Sequence, residues 1–246
     1  MSAVRRLPSS RDNAVRVAPS AVAVVVPVHN EEALLSRCLW SLQCAAHMVP
    51  IPVRVIVVLD SCVDGSARLV PASMAIVRVD AGNVGVARAA GFAFAAEQYG
   101  LAGAEHLWYA TTDADSSVPT RWLAKQLSHA VIADVTVGTV AVQWRERTAA
   151  VRAEYERRYH RIARDSPRHV HGANLGFRAT WYHRVGGFAP VRVDEDIDLV
   201  ARLEAAGARV LWHDSAVRTS DRHDNRVTGG FEGYLTDLAD TSPDCA

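Results

Sequence analysis

The sequence predicts a single α/β domain with a mostly parallel central sheet and helices on its faces. Short Val-rich apolar runs alternate with helical patterns through the first half of the chain, which is typical of βαβ units. Polar, acidic or glycine-containing loops follow the predicted strands, and such loops meet at one edge of a parallel sheet. The pattern changes near residue 136, which indicates a small antiparallel elaboration in the second half.

The first half is predicted as a regular series of strands and helices. Ala21–Val28 is an unbroken apolar run, the mark of a strand buried on both faces. Asn30 is the expected N-cap of the next helix, with Glu31 in its first turn. The later elements are a strand at Val53–Leu59, a loop at Asp60–Ser66, a strand at Ala75–Val79, a helix at Val84–Tyr99, a strand at Leu107–Ala110 and a helix opened by Pro119.

The second half is predicted with less regular elements. Thr136–Trp144 alternates in the way of an antiparallel or edge strand, and an Arg-rich helix follows at about 146–164. A helix begins in the acidic cluster Asp194–Asp196, and a strand is predicted at Ala208–His213. A polar loop, 214–230, contains three arginines and ends in two glycines, and the sequence leaves two interpretations open, a mobile lid over the donor or an ordinary exposed loop.

Composition limits the classes of function. Lys and Arg together number 27, as do Asp and Glu, so net charge does not indicate nucleic-acid binding. No apolar run reaches the 18 residues of a membrane helix, and the N-terminus lacks the apolar core of a signal peptide. The four cysteines lack metal-site spacing. The expectation is a cytoplasmic protein with a flexible arm at 1–19, one domain at 20–236 and a flexible tail at 237–246.

Two acidic clusters are the first candidates for a functional site. Asp113 and Asp115 follow a predicted strand at the carboxyl edge of the sheet, and this arrangement suits Mg²⁺ or Mn²⁺ bound together with substrate phosphates. Asp196 opens a helix, where a carboxylate could act as a general base. Either cluster alone could equally consist of capping and solvated acids.

Further polar groups are predicted at the same edge. Asp60, directly after a buried strand, could accept hydrogen bonds from a base N–H or a ribose hydroxyl. Asn83 and Gly85 begin a helix whose positive N-terminus suits phosphate, and Arg88 adds a fixed charge one turn later. Turn chemistry alone explains each of these residues, but it does not explain several such loops at one edge.

These motifs resemble glycosyltransferase family 2, whose members have the GT-A fold, a Rossmann-like sheet. The resemblance covers about residues 21–213, with the motifs in family order. They are Val26-Pro27-Val28-His29-Asn30-Glu31-Glu32, Leu59-Asp60-Ser61-Cys62-Val63-Asp64-Gly65-Ser66, Asn83-Val84-Gly85 with Ala87-Arg88, Asp113-Ala114-Asp115-Ser116, and Glu195-Asp196-Ile197-Asp198-Leu199 followed by Arg202-Leu203 and Gly207. Ser61-Cys62-Val63 departs from the usual Gly-Ser-Thr.

The resemblance implies roles for individual residues. Asp115, with Asp113, would hold Mg²⁺ or Mn²⁺ at the diphosphate, and His213 could complete the metal shell. Asp196, beside Glu195, would deprotonate the acceptor hydroxyl. The residues implied in nucleotide-sugar binding are Pro27, Asn30, Glu31, Asp60, Asn83, Gly85, Arg88, Asp113, Gly172, Asn174, Arg222 and Arg226. Residues 20–116 would form the nucleotide-binding half and 117–236 the acceptor and catalytic half.

The function expected from this resemblance is non-processive sugar transfer with inversion. The donor would be a nucleoside-diphosphate sugar, with UDP favoured and GDP possible, and the acceptor a small or lipid-linked molecule. Neither nucleic acid nor an integral membrane segment is expected. The Gln/Arg-x-x-Arg-Trp motif of processive polysaccharide synthases is missing.

Three alternatives remain open from the sequence. A retaining transferase could use His213 as a metal ligand. A nucleotidyltransferase would share the sheet and the acids, but it usually has a Gly-rich loop with cations after its first strand, and Pro27–Glu32 has neither. A catalytically silent nucleotide-sugar-binding module would not need Asp115 and Asp196.

Overall fold

The computed structural model describes residues 16–145, 147–165 and 170–221. Its strands are β1 (Ala21–Val28), β2 (Val53–Asp60), β3 (Ala75–Val79), β4 (Leu107–Thr111), β5 (Val135–Gln143), β6 (Leu175–Arg178) and β7 (Val210–Ser220). Its α-helices are α1 (Leu35–His47), α2 (Val84–Tyr99), α3 (Trp122–His129), α4 (Ala149–Asp165), α5 (Ala179–Arg184) and α6 (Glu195–Ala205). The predicted α/β class is confirmed.

The strands form one sheet in the order β3-β2-β1-β4-β6-β5-β7. β6 runs antiparallel to β4 and β5, and the other neighbouring pairs are parallel. Of the two alternatives predicted for β5, an antiparallel or an edge strand, the structure shows the first, because β5 is antiparallel to β6 and β7 pairs along its other side. The carboxyl ends of β1, β2 and β4 lie side by side, so the loops that follow them share one edge.

The central strands of the sheet are buried on both faces. α1 and α3 cover one face, where Leu35, Leu39 and Trp122 pack on alternate residues of β1 and β2. α2, α5 and α6 cover the other face around Phe92, which contacts the rings of Tyr109, Phe177, Tyr182 and Phe188. The unbroken apolar run of β1 reflects this double burial.

The first helix begins later than the sequence predicted. α1 starts at Leu35, and Asn30 is not its N-cap. Asn30 instead takes a left-handed backbone conformation, and its side-chain oxygen accepts a hydrogen bond from the Val63 N–H at 2.8 Å. Asn tolerates this conformation better than most residues, so it serves a turn between β1 and α1.

The last strand is longer than predicted, and this changes the expected lid. β7 continues through Ser220, where a loop was predicted from residue 214, because Val140–Gln143 pair with Val217–Ser220. Arg218 is a strand residue that exchanges backbone hydrogen bonds with Ser117. Residues 222–230, with Arg222 and Arg226, lie outside the described residues.

The N-terminal segment contacts the domain before β1. Arg16 makes two 3.0 Å hydrogen bonds to Asp134, and the Val17 carbonyl accepts one from Arg178. Residues 16 and 17, which the sequence assigned to a flexible arm, are thus attached to the region around β5 and β6. In the described ranges, no helix has both the length and the apolar character needed to cross a membrane.

Candidate active site

Three residues with an uncommon backbone conformation lie in loops next to the candidate site. Within the described residues, the non-glycine residues with positive φ are Asn30 (53°), Ser61 (51°) and Asp194 (61°). Asn30 follows β1, Ser61 follows β2, and Asp194 precedes α6. Such conformations are uncommon for residues with a side chain, and they are enriched at functional sites. The three loops are therefore candidates for ligand contact.

Asp60 is held by the loop between β3 and α2. Its two carboxylate oxygens accept the backbone N–H groups of Ala81, Gly82 and Asn83 at 2.8–2.9 Å. Burial opposes the ionised form, but these N–H donors outweigh it and lower the pKa of Asp60. A nucleoside would have to share oxygens already used in this turn, so the predicted nucleoside contact of Asp60 stays a prediction.

Replacement of Asp60 by Asn should destabilise the fold by about 1–2 kcal/mol at neutral pH, because an amide offers one acceptor oxygen to the three part-buried N–H donors. The lowered pKa sets the pH dependence. The stabilisation is complete above the unfolded-state pKa near 3.9 and is lost as the pH falls through the folded-state value. Urea unfolding of both proteins between pH 3 and 7 measures it. A constant difference across this range would contradict the assignment.

Arg88 lies between the two acidic clusters. One terminal nitrogen donates to Asp113 Oδ1 at 2.6 Å, and the other donates to Glu195 Oε1. The side chain is only 3% exposed, so Arg88 is not a solvated surface cation. The Phe188 ring lies 5.5 Å from the guanidinium carbon. The sequence predicted Arg88 at the site but not this pairing.

Asp196 lies at the first turn of α6, next to the buried Glu195. Its carboxylate accepts hydrogen bonds from the Gly172 N–H at 2.5 Å and from the Ile197 N–H at 2.8 Å. Burial, followed by the negative charge of Glu195, raises its pKa to about 6, although Arg88 and the two N–H groups oppose this shift. A carboxylate with this pKa is ionised at neutral pH and can accept a proton.

Asp113 and Asp115 offer carboxylate oxygens that fit a hard divalent cation. Asp113 uses Oδ1 for Arg88, and Asp115 Oδ1 is contacted by Ser116 at 3.2 Å and by Thr219 at 3.5 Å. The described part of the chain contains no cluster of three or more acidic, His or Cys ligands. Mg²⁺ commonly binds through one or two carboxylates and completes its shell with water and phosphate oxygens, so this donor set fits.

His213 does not lie with these acids. It pairs with Gly138 in the sheet, its Nδ1 accepts the Ser215 N–H at 3.2 Å, and its ring centroid is 5.1 Å from that of His129. On the same strand it is Thr219, six residues later, that reaches Asp115. The structure therefore separates His213 from the candidate metal ligands.

Asn174 also serves the fold. It is completely buried, its oxygen accepts the Trp122 indole N–H, and its amide donates to the Thr139 and Ser215 carbonyls. Asn174 thus joins α3, β5 and β7, with both of its amide hydrogens used. A hydrogen bond donated by Asn174 to the donor sugar, as the sequence suggested, would require one of these bonds to break.

The N-terminus of α2 contacts the segment that precedes α6. Asn83 caps α2 through Val86 N–H and donates to the Val191 carbonyl at 2.9 Å. A Cβ on Gly85 would lie 2.6 Å from the Ala189 carbonyl oxygen, so only glycine allows this approach. Both residues couple the two halves of the site, and their predicted phosphate contacts remain untested.

The first motif contributes structural contacts. Pro27 is buried in β1 opposite Val58, and Glu31 is buried with its N–H donating to the Ser66 hydroxyl at 2.8 Å. The structure places Glu31 next to the loop after β2. The nucleoside contacts predicted for this motif remain predictions.

The sequence profile described as Glycosyl transferase family 2 matches residues 23–187, more than half of the chain. The chain belongs to glycosyl transferase family 2. Asn30, Asp60, Asn83, Arg88, Asp113 and Asp115 fall within the matched range, whereas Glu195 and Asp196 lie beyond it.

Solved structures share the family 2 fold. TarS of S. aureus, residues 1–349 in complex with UDP-GlcNAc, has a TM-score of 0.59 and 14% identity, covering 89% of this chain and 65% of that chain. The same protein with UDP has a TM-score of 0.57 and 13% identity, covering 89% and 69%. The chain thus spans slightly less than two thirds of the first of these structures. No curated protein matches it in sequence.

Sequence reasoning missed several residues of this family 2 site. Arg37 donates to the Asp115 carbonyl at 3.0 Å and also contacts Gln143, so α1 supports the acidic loop. Thr219 approaches the Asp115 carboxylate from β7. Neither residue forms a local pattern with Asp115, and only the register of the β5–β7 pair would have indicated Thr219.

Proposed function

We propose that this chain transfers a sugar from a nucleoside-diphosphate sugar to an acceptor hydroxyl, with inversion and without processive extension. The observation that carries the proposal is the position of the Asp196 carboxylate, which is linked through Glu195 and Arg88 to the Asp113–Asp115 loop. Family membership supports the reaction class.

In this proposal each side of the site has one task. Asp113 and Asp115 would hold Mg²⁺ or Mn²⁺ through their carboxylates. The bound cation would neutralise the negative charge that develops on the departing nucleoside diphosphate. Asp196 accepts the proton of the acceptor hydroxyl, and Gly172 and Ile197 N–H groups orient its carboxylate. An attack aided by a base on the acceptor side inverts the anomeric centre.

UDP is the proposed nucleotide, because TarS, which shares this fold, binds UDP-GlcNAc and UDP in its crystal structures. GDP remains the second candidate. A small or lipid-linked acceptor is proposed from the sequence alone. The retaining alternative loses its support, because His213 lies apart from Asp115.

A panel of UDP- and GDP-sugars with Mn²⁺ or Mg²⁺ tests the function. We expect one UDP-sugar to raise the melting temperature and to release UDP slowly without an acceptor. The matching free sugar and UMP are the controls. Release of pyrophosphate from a nucleoside triphosphate and a sugar phosphate would instead establish a nucleotidyltransferase. Failure of every UDP- and GDP-sugar to bind would refute the proposed sugar transfer.

A further inference from the structure

Arg88 joins three separate segments at the candidate site. It extends from α2 to Asp113, in the loop after β4, and to Glu195, at the start of α6. A guanidinium group holds its N–H donors in a rigid planar fork, so two carboxylates bound to one fork keep a fixed separation. The side chains of Arg88 and Glu195 are 3% and 9% exposed, so water screens this pair little.

The surroundings of the guanidinium group leave it little room for another ligand. A Cβ placed on Gly172 would lie 2.4 Å from its Nη2 atom, and Phe188 lies on another side with its ring centroid 5.5 Å from Cζ. A phosphate that took the place of Glu195 on Arg88 would leave that carboxylate buried without its cation, which is strongly unfavourable.

The same group is linked to the candidate base by two routes. Glu195, its partner, directly precedes Asp196 in α6. Gly172, which packs on the guanidinium group, donates its N–H to Asp196 at 2.5 Å. A displacement of Arg88 would therefore move both neighbours of the Asp196 carboxylate.

We propose that Arg88 is a positioning residue that fixes the distance between the Asp113 loop and the Glu195–Asp196 turn, and that it is not a diphosphate ligand. The expected effect of Arg88 on kcat rests on the proposed function, because it requires that the protein transfers a sugar. Misplacement of a reacting group by about 1 Å can cost 10²-fold in rate. Arg88 thus acts on the sugar-transfer step through the base, without touching the substrate.

The test uses Arg88→Lys, Glu195→Gln and the double variant, with Arg78→Lys on the exposed face of β3 as the matched control. Lysine keeps the charge but lacks the fork. We expect Arg88→Lys to lower kcat by roughly 10- to 100-fold. Affinity for UDP with Mn²⁺, measured by calorimetry, should change less than about threefold, the level of a lost minor contact. The Arg78→Lys control should match wild type in kcat and in UDP affinity.

The double variant separates positioning from two independent contributions. Because Arg88 and Glu195 act through one ion pair, the double variant should have a kcat no lower than that of the more damaged single variant. A fold-reduction in kcat of the double variant equal to the product of the two single reductions would overturn the proposal. So would a weakened UDP affinity with normal kcat, or a lowered melting temperature with normal kcat and affinity.

Two further outcomes keep the test decisive. If Arg88→Lys does not fold, Glu195→Gln alone should still lower kcat with unchanged UDP affinity, and a normal kcat would refute the positioning role. If wild type transfers no sugar at all, the proposed function fails. In that case non-additive melting-temperature shifts of the two single variants would support the fixed link, and additive shifts would refute it.

Discussion

Asp196→Asn should reduce turnover by roughly 10²–10⁴-fold, the usual contribution of a positioned general base. Asparagine keeps the size of the side chain, and its oxygen can still accept an N–H from Gly172 or Ile197. It cannot take a proton from the acceptor. Affinity for the nucleotide should stay within about threefold, because the proposed role of this carboxylate is contact with the acceptor and not with the nucleotide. Steady-state kinetics and calorimetry measure the two quantities.

The matched control is Asp198→Asn, two residues along the same helix. Asp198 pairs with Arg202 at 2.6 Å on a partly exposed face, so its loss should leave turnover near wild type.

The wild-type kcat/KM should fall as the pH drops below about 6, where Asp196 becomes protonated, and the Asn variant should lack this fall. Near-normal turnover of Asp196→Asn, or a product with retained configuration, would remove Asp196 from the role of base.

The sequence predicted elements correctly where the signal is local. β1, β3 and α2 have the predicted bounds, because short runs of mostly apolar residues mark the two strands and Asn83 caps the helix with its own side chain. The acidic start of α6 was recognised for the same reason. In each case the residues that determine the element lie within it or directly beside it.

Elements that depend on distant partners were predicted less well. β6 has four residues and is a strand because β4 and β5 pair with it on both sides. The polar end of β7 is a strand because β5 continues beside it and Ser117 pairs with Arg218. Neither strand pairing can be predicted from the pattern of apolar residues within the segment itself.

In the candidate site, too, features with a local sequence signal were predicted and contacts between distant residues were not. Its acids were found from their position after strands and before a helix. Their connections were not found, because Arg88 and Glu195 are 107 residues apart and Gly172 and Asp196 are 24 apart. Polar residues such as Asn174 were assigned to ligand contact, although the buried groups around them use their hydrogen bonds.

Removal of divalent metal should abolish transfer. The Asp113 and Asp115 carboxylates are the candidate ligands, and a nucleoside diphosphate leaves with a growing negative charge that Arg88 cannot neutralise while it is bound to Asp113 and Glu195. We expect excess chelator to lower the rate at least about 10²-fold, the scale of a lost electrostatic contact in a transition state. Titration with Mn²⁺ or Mg²⁺ should restore the rate.

Asp115→Ala tests the ligand itself. It should weaken UDP binding in the presence of Mn²⁺ but leave the much weaker metal-free binding unchanged, because the carboxylate acts through the cation. Asp214→Ala is the matched control, since its side chain is 99% exposed and contacts only Lys125 at 3.5 Å among the described residues. Full activity in excess chelator, or equal UDP affinity of Asp115→Ala and wild type with Mn²⁺, would refute metal dependence through this loop. The charge of the leaving group would then have to be neutralised by cationic side chains other than Arg88.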